Sequence, residues 1–214
     1  MKNLVFITGP QGAGKSTLLK KLKGSSVLVP ELTTSVVSMM HTTPRERRSL
    51  KIAQRALENF EYLQVARANS DKIVLGDRCI YCIYAFGETY ARCGWITECE
   101  KNEYNFLAPR IFPQDVREPP AIVLNPGFDV VWRHLHGRWE IEGKKWREDD
   151  VEYIKHACAS YESFRHHPKI LYIDHAINFV NNKDVNYIYA WLEKITGISC
   201  EFPDKSLSCL AVSH

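Results

Sequence analysis

Residues 9–16 read GPQGAGKS, with glycines at 9, 12 and 14, then Lys15 and the two hydroxyls of Ser16 and Thr17. From Gly9 to Ser16 the spacing is G-x-x-x-x-G-K-[ST]. A polyphosphate must be wrapped by backbone N–H groups, and glycine lets the chain curve closely enough to do it. Gly9, Gln11, Gly12, Ala13, Gly14, Lys15, Ser16 and Thr17 therefore form a candidate seat for ATP. Lys15 would reach the β and γ phosphates and Ser16 would ligate Mg²⁺.

The seat needs a strand before it and a helix after it. Leu4–Ile7 is a short apolar run, and Ser16–Leu22 carries leucines at helical spacing, so both are present. The helix would add its N-terminal dipole and free N–H donors. Further strands are expected at Val27–Val29, Ile73–Leu75, Ala121–Leu124 and Ile170–Ile173. Thr43-Pro44-Arg45-Glu46 opens a helix to about Ala68, with Leu50, Ala53, Leu57 and Phe60 on one face. A helix carrying Ile80, Tyr81, Tyr84 and Phe86 follows, and Thr97–Glu100 caps another to about Ile111. Later helices are expected from about Phe128 to His136, from Val151 to Phe164 and from Val185 to Ile195. Strands alternating with helices imply a parallel, doubly wound sheet with ligands outside the carboxyl ends of its strands.

That rule draws attention to the residues after each strand. Glu31 follows the second and suits a general base toward an attacking hydroxyl. Asp77 and Arg78 follow the third; Asp77 could hold Mg²⁺ with Ser16, and Arg78 could neutralise charge on the transferred phosphoryl group. After the fourth strand come Arg133, His136, Arg138, Lys144, Lys145 and Arg147, a basic segment able to close over phosphates. Its alternative is a solvated loop. Cys79 and Cys82 with Cys93 and Cys99 allow a zinc site, against the plainer reading of core thiols. Tyr81, Tyr84 and Phe86 read as core, with room for one to stack on a base.

Taken together these residues resemble the deoxynucleoside kinase family of P-loop kinases, with thymidylate kinases and nicotinamide-riboside-type kinases as more distant matches. The resemblance rests on GPQGAGKST, on "VPEL" containing Glu31, on "GDRC" containing Asp77 and Arg78, and on "HLHGRWEIEG" before the helix "VEYIKHACASYESF". It implies a three-layer α/β/α fold with a five-stranded parallel sheet and a helical lid at about 133–150. It makes Glu31 the general base, with Lys15, Arg78 and Arg138 as catalytic cations. It places Gln54 on the base of the substrate and Glu140 on its sugar, beside Glu31 and Arg78. The sequence departs from the family pattern at Cys79 (serine in the family), at His136 (a lid arginine) and at Ile83 (often an acid).

The implied reaction is transfer from ATP, with Mg²⁺, to the 5′-hydroxyl of a nucleoside or deoxynucleoside. The alternatives are transfer to a nucleoside monophosphate and a P-loop switch or ATPase. The 214 residues are read as one domain over 1–198 and an extension over 199–214. A net charge of +3 is too mild to imply nucleic-acid binding by itself, and no run suits a membrane span. The expected partner is a small-molecule nucleoside or nucleotide, and a homodimer is compatible with it. Seven cysteines without a signal-peptide pattern point to reduced thiols in a cytoplasmic protein.

Overall fold

The computed structural model describes residues 2–32, 41–180 and 182–200. The proposed extension falls outside them from residue 201 onward, as do residues 33–40 of the Ser/Thr-rich stretch after the second strand. Five strands alternate with seven helices among the described residues. β1 is Leu4–Thr8, α1 Lys15–Leu22, β2 Val27–Leu28, α2 Pro44–Ala68, β3 Ile73–Asp77, α3 Ile80–Arg92 and α4 Glu98–Ile111. β4 is Ala121–Leu124, α5 Phe128–Glu142, α6 Val151–Tyr161, β5 Ile170–Ile173 and α7 Lys183–Thr196. All strand pairs are parallel, in the order β2-β3-β1-β4-β5. The expected three-layer arrangement is the one observed.

Strand alternation builds the two faces. Val5 and Ile7 of β1 join a core with Leu18 and Leu22 of α1, Val131 and Leu135 of α5, and Ile188 and Leu192 of α7. Leu4 and Phe6 point the other way, into a core with Ile52, Tyr62 and Leu63 of α2 and with Ile80 and Ile83 of α3. Both expected capping boxes form. The Glu46 amide donates to Thr43 Oγ1 at 3.3 Å while the Thr43 amide donates to Glu46 Oε2 at 2.8 Å, and Thr97 with Glu100 repeats the arrangement.

The structure settles which face of α2 is buried and corrects the expected end of the fifth helix. The stripe Leu50–Ala53–Leu57–Phe60 does not face the core: Leu50, Leu57 and Phe60 are 43%, 60% and 50% exposed. α2 instead buries Ile52, Ala56, Asn59, Tyr62, Leu63 and Ala66. Both stripes are apolar at helical spacing. The inner one also carries polar groups that find partners: Gln54 donates to Glu58 at 2.8 Å, and Asn59 donates to the Arg78 carbonyl at 3.2 Å. The fifth helix does not stop near His136 but continues to Glu142. Gly137 costs an interior helix position only about 1 kcal/mol. Val131 and Leu135 anchor the helix below it, and Trp132, His136 and Trp139 pack as a ladder of rings across it. Gly143 ends the helix at φ 72°, a backbone that suits glycine.

Gly76, inside β3, marks a tight point of the second core. A Cβ there would lie 2.5 Å from the Phe6 ring, and that ring meets Tyr62 edge-on with centroids 5.8 Å apart. Gly76→Ala is expected to destabilise the fold by about 1–3 kcal/mol through overpacking. The shift of the denaturant midpoint measures it, and an unchanged midpoint would refute this account of the packing.

Candidate active site

The sheet ends its central strand at Thr8, and the loop begins with a constraint. Gly9 sits at φ 145°, and a Cβ on it would lie 2.1 Å from the carbonyl oxygen of Leu124 on β4. No side chain fits between the two backbones. The chain then rises over the sheet edge and enters α1 directly after Gly14. Lys15 is buried, and its Nζ donates to the carbonyls of Gly9 at 3.0 Å and Pro10 at 2.6 Å. Burial first, and the Arg78 guanidinium second, push the Lys15 ammonium well below its ordinary pKa. Ser16 and Thr17 are exposed on the first turn of α1, where backbone N–H groups have no intrahelical acceptor. α5 packs down on the loop: His134 Nδ1 lies 2.9 Å from the Gly12 carbonyl. From α6, the Tyr153 hydroxyl accepts from Gln11 Nε2 at 2.7 Å.

The tip of β3 stands beside this loop. The Arg78 amide donates to the Ile7 carbonyl at 2.8 Å, which ties the tip to β1. Arg78 holds a left-handed backbone at φ 68°, a conformation rare for a residue with a side chain. Burial opposes its charge, yet the Asp77 carboxylate next to it prevails and raises the guanidinium above its ordinary pKa. Among the described residues Asp77 Oδ1 is buried without a hydrogen-bond partner. An orphaned carboxylate oxygen facing the same cavity as the Ser16 hydroxyl fits a divalent cation or its water shell.

A cavity of about 990 Å³ joins these parts. Gln11, Gly12, Gly14, Lys15, Ser16 and Thr17 line it from the loop, Asp77 and Arg78 from β3, and Arg133 and Arg138 from α5. Arg138 is engaged by the buried carboxylate of Glu148, which also accepts from the Trp139 indole at 3.3 Å and the Lys145 amide at 3.1 Å. The basic segment is therefore a helix followed by a turn clamped on Glu148, and not an open loop.

Three residues proposed from the resemblance are not among those lining the cavity. Glu31 lies three residues past β2, exposed. Gln54 is buried on α2, where its amide accepts from Lys51 Nζ at 3.0 Å and donates to Glu58. Glu140 is exposed on the outer side of α5. Cys79 and Cys82 are buried at the start of α3; burial pushes the Cys79 thiol well above its ordinary pKa, and Cys82 reaches the cavity. Tyr81 is core, against Phe164 and His167, whereas Phe86 lines the cavity within 5.8 Å of the Arg78 guanidinium.

The sequence reading passed over the α2 wall. Arg47, Arg48, Lys51 and Arg55 all line the cavity. Their spacing within "PRERRSLKIAQR" follows one side of a helix, a signal that was available but reads as an ordinary solvated face. Burial, then the charges of Arg55, Arg47 and Arg78, bring Lys51 down to about 8.

Similarity searches agree with this architecture. The family described as "AAA domain" (AAA_28) matches residues 4–111. A structure of deoxyadenosine kinase from M. mycoides with bound dATP superposes at a TM-score of 0.60 and 16% identity, covering 86% of this chain and 97% of that one. The same description of enzyme and organism, with bound dCTP, gives 0.58 and 16% over 90% and 100%. At such identity the likeness is one of fold. Among curated proteins none matches.

Two outcomes follow from this geometry. Gly9→Ala should abolish ATP binding, read by calorimetry, because the loop must leave its seat to clear the Leu124 carbonyl; retained affinity would contradict the contact. Lys51 is charged in both folded and unfolded states below pH 8, so there folding carries its full desolvation cost. Between about 8 and its ordinary 10.5 the folded protein sheds the proton first, and stability rises with pH. Lys51→Met should therefore melt higher than the parent at pH 7, with a lead that shrinks from pH 8 upward in melting curves. A lead independent of pH would refute the assigned ionisation.

Proposed function

We propose that this chain, which belongs to the AAA domain family, transfers a phosphoryl group from ATP to the 5′-hydroxyl of a nucleoside or deoxynucleoside. The observation that carries the reading is the meeting, in one cavity, of the glycine loop with Lys15 and Ser16 and the Asp77–Arg78 strand tip. Fold likeness to deoxyadenosine kinases supports the choice of a nucleoside.

The chain's own residues supply most of the chemistry. Backbone N–H groups of the loop and of the first turn of α1 bind the β and γ phosphates, and Lys15, drawn out of its carbonyl contacts, adds charge to them. Arg78 is aimed by its left-handed backbone and by the Asn59 contact to its carbonyl, so its guanidinium is in place before charge develops on the γ phosphoryl group. Arg138 approaches from the opposite wall on α5. Ser16 and Asp77 would hold Mg²⁺, which neutralises phosphate charge when bound. Phe86 offers an aromatic face between Arg78 and the α2 wall, fit to stack on a base.

Glu31 takes the acceptor proton in this reading, on its place after β2 and the resemblance of "VPEL"; its side chain is exposed and outside the lining of the cavity. ATP, Mg²⁺ and a panel of nucleosides and their monophosphates test the whole. Acceptor-dependent ADP release is expected, whereas slow release indifferent to the acceptor would make the chain an ATPase or switch. Glu31→Gln should lower turnover by about 10²–10⁴-fold with ATP affinity unchanged. Full activity in that variant would refute Glu31 as the general base.

A further inference from the structure

The cavity has a second wall that ATP does not explain. Ten cationic side chains line it against three carboxylates, those of Asp77, Glu142 and Glu148. Lys15, Lys20, Arg133 and Arg138 stand around the phosphate loop and account for a polyphosphate. Arg55 is taken up by Glu58 and lies 3.5 Å from the Asp77 carbonyl. Arg47 stacks over Trp146 at 4.2 Å. Lys145 pairs with Glu142 at 2.8 Å, and Arg78 stands beside the Asp77 carboxylate; Arg48 and Lys51 remain.

Arg48 is the largest fully buried side chain of the described residues, at 2% exposure. Among the described residues its Nη2 makes one long hydrogen bond, 3.4 Å to Asn105 Oδ1, its Cζ lies 5.4 Å from the centre of the Tyr104 ring, and its Nε is buried with no hydrogen-bond partner. The groups that favour its charge are Tyr90, Cys82 and Tyr104, none of them a carboxylate. A buried cation left in this state is costly unless something pairs with it. The seat is nonetheless built. α3 carries Gly87 opposite, where a Cβ would lie 2.5 Å from Arg48 Nη2 and 3.1 Å from Cζ, so the helix surface is cut back to admit the guanidinium. Among the described residues Lys51, one turn along α2, is held by the Gln54 amide oxygen at 3.0 Å, and the cations Arg55, Arg47 and Arg78 act on it more strongly than the Glu58 carboxylate. Between these cations and the strand tip the wall is Ile83, Phe86, Tyr90 and Trp146, apolar and aromatic. Arg48 precedes Arg55 by seven residues, so roughly 10 Å of helix rise separates it from the residue that touches the β3 tip.

We propose that the acceptor nucleoside carries an oxyanion on its base, at the end remote from the reacting 5′-hydroxyl, and that Arg48 and Lys51 bind it. The guanidinium offers its free Nε–H in a fork suited to an oxyanion, and Lys51 adds a point charge beside it. This inference rests on the kinase reading for the word acceptor, but the binding site itself does not depend on turnover.

The protein is first saturated with ADP and Mg²⁺ to occupy the phosphate loop, then titrated by calorimetry with inorganic phosphate and with malonate. One oxyanion is expected to bind, and the preference between the two probes distinguishes a phosphate from a carboxylate. Arg48→Met and Lys51→Met should each weaken that binding by at least tenfold while leaving ADP affinity as it was. Arg48→Met keeps the side-chain volume and removes an unpaired buried charge, so its melting temperature should be equal or higher, a result that a purely structural role for Arg48 would reverse. If Arg48→Met fails to fold, Lys51→Met decides. The proposal is overturned if the ADP-loaded parent binds neither probe, or if Lys51→Met binds as tightly as the parent. Absence of ADP release with every acceptor, alongside oxyanion binding that both variants weaken, would sink the transferase reading and leave the site standing.

Discussion

Between the end of β1 and the start of α1 the backbone passes so close to β4 that even a methyl group would collide with the Leu124 carbonyl. Much of the site is arranged around that approach. The glycine at this point lets the chain leave the sheet plane and return over it, which brings Lys15 under the loop and sets the first turn of α1 at its rim. α5 then closes the outer side through His134 and Gly12, and α6 reaches the loop through Tyr153 and Gln11. Strand order matters here too. With β1 between β3 and β4, the loop's neighbours are the Asp77–Arg78 tip on one side and the strand leading into α5 on the other.

The electrostatics of the cavity divide along the same line. On the loop side, cations meet partners that a polyphosphate can replace: carbonyls hold Lys15, and Glu148 holds Arg138. On the α2 side Arg55 pairs with Glu58, while Arg47 is stacked on a ring, Lys51 is tied to an amide and, among the described residues, Arg48 keeps a buried Nε without a hydrogen-bond partner. One cavity thus has two cationic ends with aromatic surface between them, a shape that suits a molecule with a flat middle.

The sheet was legible because its signals are local. Short apolar runs between turn residues identified all five strands to within two residues, and the Thr-x-x-Glu boxes marked the starts of α2 and α4. The phosphate loop was legible for the same reason. The orientation of α2 was not, since Leu50–Leu57–Phe60 and Ile52–Ala56–Leu63 are both helical stripes and only the packing against β3 chooses. α5 outran its expected end because packing of Trp132, His136 and Trp139 outweighs one interior glycine. The α2 cations were hidden by their type: Arg and Lys on a helix usually face water, and no local rule says that α3 will leave room for one opposite Gly87. Gln54 and Glu140 came from family likeness, which transfers positions along a chain more securely than directions of side chains.

Arg78 shows how closely aim and comfort are opposed at the β3 tip. Its backbone occupies a region where glycine rests easily and an L side chain does not, a burden on the order of 1–3 kcal/mol. Glycine there would relax the turn and release the Ile7-tied corner from strain, yet it would also delete the guanidinium. Evolution toward a sturdier protein and evolution toward a faster one would therefore pull this single position in opposite directions.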